Sequence, residues 1–170
     1  MSAQTRYGLS CPKGLPGGLY DLSVHEVASR HAEGKISFGA GVVTGTNKGT
    51  DVALPAATSS AAEFEGVVVH NSVMVEMDLH GAVEIDGKRT VGCLQYGKVW
   101  VKIGKNAKPA YRERAYLITD GEEAGLFTTV SDTETVKKIA VNGIFLGETD
   151  EGIANAVFFP TAAGMAAETE

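Results

Sequence analysis

The chain is short of cysteine, of aromatic residues, of positive charge and of long apolar runs, and each shortage removes a class of protein. Cys11 and Cys93 are the only cysteines in 170 residues. A disulfide framework is therefore not expected, and synthesis in the reducing cytoplasm is the natural setting. Aromatic residues amount to 7% of the chain, few for a protein that stacks on sugars. The formal charge of −6 argues against nucleic acid as the main partner, because neutralising phosphates needs a basic surface. No stretch approaches the roughly 18 apolar residues of a membrane span. The opening residues, MSAQTRYGLSCPKGLPGG, lack the apolar core of a secretory signal. A soluble protein with no membrane partner is the expectation.

What is abundant is glycine. The 21 glycines recur from Gly8 to Gly164 and suit short strands joined by turns rather than long helices. Apolar residues make up 44% of the chain, enough for one domain with a hydrophobic core of its own. Residues 1–20 are rich in Gly, Pro and small polar residues, and an arm outside the core is expected over 1–33, extended rather than helical. A domain is expected over 34–160. Pro160 ends its last strand, and 161–170 form a small-residue tail.

Within the domain the strand signal dominates. Val73, Val75, Met77 and Leu79 alternate with Met74, Glu76, Asp78 and His80, the pattern of a half-buried strand. Phe64–Asn71 is a short apolar run of strand length. Asp86-Gly87 predicts a tight hairpin turn between Ala82–Ile85 and Lys88–Leu94. A second turn is expected at Tyr96-Gly97, and Asp51–Ser60 reads as loop. Ser60-Ala-Ala-Glu63 matches a capping box and predicts one helical turn. About nine strands at short spacing point to an all-β antiparallel sandwich or barrel.

Four patterns carry possible chemistry. Gly39, Gly41 and Gly45 resemble a dinucleotide-binding turn, but TNKGTDVALP follows where a helix is required. Glu76, Asp78 and His80, with His70, form a stripe that could offer metal ligands; a solvent-facing strand looks the same, and no metal is expected. Cys93 lies in a strand pattern, where a buried and inert thiol is usual, and there is no Gly-x-Ser-x-Gly elbow. Lys98, Trp100 and Lys102 form a basic-aromatic strand face. It reads as a solvated face with Trp100 packed on a neighbouring element; stacking on nucleic acid or sugar is the alternative, and Trp is also the residue most enriched at protein–protein contacts. No catalytic site and no cofactor are expected.

The order of these features resembles the structural cement, or capsid decoration, proteins of tailed bacteriophages. The resemblance runs from about Gly17 to Val157. It rests on Gly-Leu-Tyr-Asp (18–21), Ala-Ser-Arg-His-Ala-Glu (28–33), Ile36-Ser-Phe-Gly-Ala-Gly-Val-Val, Phe64-Glu-Gly-Val-Val-Val-His, Gly97-Lys-Val-Trp-Val-Lys and Gly152-Ile-Ala-Asn-Ala-Val. It implies a jelly-roll-like β-sandwich outside an assembled icosahedral head. There it bridges neighbouring major capsid protein subunits, as a homodimer or alternatively a homotrimer. An extended arm would give such a module reach, since fifteen residues span about 50 Å. Leu9, Leu15, Tyr20, Leu22 and Trp100 are the candidate partner contacts. A carbohydrate-binding β-sandwich on the virion surface is the alternative.

Overall fold

The computed structural model describes residues 14–71, 76–77, 83–85, 87–129 and 137–160. In chain order the strands are β1 (Glu26–Ala32), β2 (Ile36–Ser37), β3 (Gly41–Thr44), β4 (Asp51–Ala53), β5 (Phe64–Val68) and β6 (Glu76–Met77). They continue with β7 (Val83–Ile85), β8 (Thr90–Lys102), β9 (Arg114–Ile118), β10 (Phe127–Thr128), β11 (Lys138–Asp150) and β12 (Ile153–Phe158). The protein is all-β, as its glycine-punctuated apolar runs predict.

One strand organises the rest. Over Thr90–Tyr96, β8 pairs with β1, and its residues Cys93 and Leu94 also pair with β5. Over Gly97–Lys102 it pairs with β12 instead. The first set of pairings closes a ring, β1–β4–β3–β5–β8, because β1 returns to β8. The second set continues as β12–β11–β9–β10, and a bridge between Ile103 and Phe127 brings β10 back beside the end of β8. A separate three-stranded sheet, β2–β7–β6, lies outside these pairings.

Two cores follow from this arrangement. A smaller one draws on every ring strand: Ala32, Val42, Val52, Val68, Val91 and Cys93, with Ile36 and Ile85 added from the three-stranded sheet. A larger one joins Val43, Val67 and Leu94 of the ring to Leu117, Phe127, Phe145 and Phe158 of the second half. Successive strand residues point to opposite faces. Val42 and Val43, like Val67 and Val68, therefore serve different cores, and β3 and β5 are covered on both sides. That explains why the run over Phe64–Asn71 has Val67, Val68 and Val69 in succession and not an alternating pattern.

The structure departs from the sequence expectations at five places. Part of the expected arm belongs to the domain, since Glu26–Ala32 is a ring strand whose Ala32 is buried. Asp51–Ala53, expected as loop, is β4, and its pairing with β1 is parallel, so the sheet is mixed rather than purely antiparallel. The strands expected to pair across Asp86-Gly87 belong to different sheets: β7 pairs with β2 and β6, while β8 belongs to the ring; Asp86 itself lies outside the described residues. The turn with two positive φ angles is Glu151-Gly152, which closes the β11–β12 hairpin. Finally, Tyr96-Gly97 is no turn. β8 runs straight through it, and Gly97, at φ +126°, is where the strand changes partners. A Cβ at Gly97 would lie 2.6 Å from that of His25. The predicted capping box does form, with the Ser60 N–H donating to the Glu63 carboxylate at 2.8 Å ahead of a single 3-10 turn.

Candidate functional site

Before β1 begins, residues 14–20 form a strap along the free edge of β8. Gly17 N–H donates to Trp100 O at 2.7 Å, Trp100 N–H to Gly18 O at 2.9 Å, and Tyr20 N–H to Lys98 O at 3.1 Å. Leu19 bridges Val99 in the same antiparallel sense. The strap thus continues the line of β1 past Gly97, where the ring ends. Its reason is simple: β8 beyond the ring has backbone donors and acceptors on that edge which need partners once buried.

The strap also decides what Trp100 can do. The indole is 3% exposed. Gly14 lies flat on it, so that a Cβ there would stand 2.3 Å from the ring, and Tyr20 packs at 5.9 Å between centroids. Trp100, expected among the partner contacts, is therefore a packing residue beneath the strap. The preferred sequence reading, an amphipathic Trp against a neighbouring element, is the one the geometry matches. A stacking platform for bases or sugars is removed with it.

Between the strap and β1 the chain leaves the sheet. Asp21 holds this loop at its base, where its carboxylate accepts from Lys98 Nζ at 2.6 Å, from Ser23 N–H at 2.9 Å and from the Ser23 hydroxyl. These bonds, that from Lys98 first, lower the Asp21 pKa to about 2. The His25 ring donates from Nδ1 to Ser23 O at 2.8 Å. Above this base stand Leu22, 95% exposed, and Val24, 81% exposed. Leu15 and Tyr20 are exposed on the adjoining strap. Of the predicted contacts, Leu15, Tyr20 and Leu22 are thus surface residues on one continuous segment; Leu9 lies outside the described residues. Val24 was not singled out by sequence, although its position two residues from Leu22 in an extended segment was the available signal.

The chemical candidates fare differently. Gly41–Thr44 is a strand leading into another strand, which is not the setting of a phosphate-binding turn. Burial pushes the Cys93 thiol up to about 12, so the nucleophilic thiolate is suppressed. The side chains of Glu76, Asp78 and His80 lie outside the described residues, while His70 stacks against Phe38 at 4.9 Å. Among the described residues no three His, Cys, Asp or Glu side chains gather to hold a metal. No helix among them is long and apolar enough to cross a membrane. A cleft of about 340 Å³ is lined by Glu26, Glu65, Gln95 and Tyr96 together with Phe64 and Phe158. No serine, cysteine or histidine lines it.

The family described as structural cement protein (E217 gp24/Pam3 gp6) matches residues 3–168. The chain belongs to that family. No curated protein matches it. Among solved structures, a chain from the capsid of Myoviridae phage XM1 superposes with a TM-score of 0.73 at 15% identity, covering 92% of this cement protein and 97% of its own length. At that identity the likeness establishes a shared fold and nothing finer. Family membership makes the protein a structural component of the phage capsid and locates it in the virion.

Proposed function

We propose that this cement protein binds the outside of the assembled head and stabilises it by bridging neighbouring major capsid protein subunits, without catalysing a reaction. The observation that carries the reading is the family match from residue 3 to residue 168. The geometry agrees with it. A bridging protein needs a stiff body and adhesive points outside its core, and here two cores underlie a loop that holds Leu22 and Val24 in solvent. Binding that favours the assembled shell over free subunits stabilises the shell by mass action. Contacts to several subunits at once raise the effective affinity without one large interface. The homodimer is the assembly we favour, with a homotrimer as the alternative. The carbohydrate-binding alternative loses its one tryptophan to the strap.

The test is co-sedimentation of purified protein with expanded heads that lack it, followed by heating. Saturable binding at a fixed ratio to the major capsid protein, with a raised temperature of head rupture, is the expected result. Equal binding to free capsid subunits, or no change in rupture temperature, would refute the reading. The segment to delete first is 1–13. A deletion through residue 18 would also uncover Trp100 and strip β8 of its partner, and would confound binding with folding.

A further inference from the structure

A second exposed feature lies in the turn that leads into β9, remote in sequence from the strap. Residues 110–113 turn tightly, and every backbone group that fixes the turn is engaged. Glu113 N–H donates to Ala110 O at 3.2 Å, and Ala110 N–H donates to the Glu113 carboxylate at 3.0 Å. Arg112 N–H donates to Phe145 O at 2.9 Å, and Phe145 N–H to Glu113 O at 2.8 Å. The turn is thereby riveted to β11, whose Gly147 packs against the Tyr111 backbone.

This well-braced turn holds an unfavourable conformation. Arg112 sits at φ +66°, in the left-handed region that L side chains avoid. Such strain persists only where the surroundings enforce it, and it clusters at binding sites. The result is an aromatic-cationic tip: Tyr111 is 68% exposed, and the Arg112 guanidinium lies over its ring at 5.8 Å. Tyr and Arg are the residue types that dominate interface energetics. A side chain fixed before binding also loses less freedom on contact.

Charge identifies the partner's chemistry. From Lys105 to Arg114 the chain carries Lys105, Lys108, Arg112 and Arg114, all exposed, against one acidic residue, in a protein of net charge −6. The nearby carboxylates are already engaged: Glu113 with Ala110 N–H, Glu123 with Lys105 N–H at 3.3 Å, and Glu148 with Asn155 at 3.4 Å. We infer that Tyr111 and Arg112 form a preorganised anchor that docks on a carboxylate-rich patch of a neighbouring shell subunit. A twofold contact between copies would set like charges against each other at this tip, so the partner is a different chain. The inference rests on the cement reading and adds the surface and its complement.

The experiment measures binding of wild type, Tyr111→Ala, Arg112→Glu and Arg112→Gly to heads lacking the protein, at low and high salt, beside a thermal melt of each. Tyr111→Ala and Arg112→Glu should weaken binding by roughly tenfold or more, the range of an interface anchor, with melting unchanged. Arg112→Gly should raise the melting temperature by relieving the strained φ and still bind more weakly. Opposite signs in one variant separate an anchor from a structural turn. Undiminished binding by all three variants overturns the anchor while the cement reading stands; a wild-type protein that binds no head overturns both. Loss of DNA retardation or of self-association in Arg112→Glu, with head binding intact, overturns the proposed partner.

Discussion

The two cores of this protein are built from different side chains, and the difference follows from the space each must fill. The ring strands give the smaller core only Ala, Val and Cys93, with Ile36 and Ile85 added from the three-stranded sheet and Phe38 as its one aromatic. Between the ring and the second half, Phe127 and Phe158 stack at 5.4 Å and Phe64 meets both. A closed sheet of few strands has an interior narrow enough for small side chains to fill. Two walls packed face to face stand about 10 Å apart and require large ones. Composition alone does not distinguish these cases, because valine is common to both.

The comparison can be broken by substitution. Phe127→Ala should be the most damaging change, removing a fully buried ring that touches two others and costing about 3–5 kcal/mol in denaturant unfolding. Val68→Ala, in the ring, should cost about 2 kcal/mol, from the methyl groups removed at ~0.8 kcal/mol each plus a small void. Both variants should unfold in a single transition because the cores share β8. A biphasic curve in either would show the halves to be independent. An equal cost for the two would show that the ring is as sensitive as the wider core.

The smallest effect is expected at the strap. The Asp21 pKa is depressed from 3.8 to about 2, chiefly by the Lys98 ammonium. Its contribution is therefore complete above about pH 4 and is lost as pH falls toward 2. Asp21→Asn should abolish that acid-side change and leave the rest of the melt unaltered, since exposed pairs contribute little and are screened by salt. Proton exchange at the Tyr20 and Trp100 amides, followed from pH 5 to 2, measures it. A wild-type profile that is flat through this range would show that Lys98 does not hold the loop.

Much of the β architecture was legible from periodicity, because strands half-buried or doubly buried leave period-two or continuous apolar patterns. Phe64–Val68 lies within the apolar run over Phe64–Asn71, where that pattern places it. What periodicity could not show was which strand pairs with which. Asp86-Gly87 has the local chemistry of a hairpin, yet the strands before and after it, β7 and β8, belong to different sheets, and only long-range pairing decides that. Gly97 looks like a turn residue because a change of strand partner and a reversal of direction both favour glycine. The candidate surface was half legible: Leu15, Tyr20 and Leu22 read as apolar residues outside the core, and so they are. Trp100 carried two readings, packing on a neighbouring element and partner contact, and Gly14 lying on its ring decides for packing. The Tyr111–Arg112 tip left no pattern, since its distinguishing property is a backbone angle.

A strand shared by both halves also determines how the molecule answers a pull. Tension applied along β8 would load its neighbours' hydrogen bonds in shear, many at once, instead of unzipping them singly. Neither half could yield without the other losing a wall. A module built in this way would stay intact under load until the whole of it gives way.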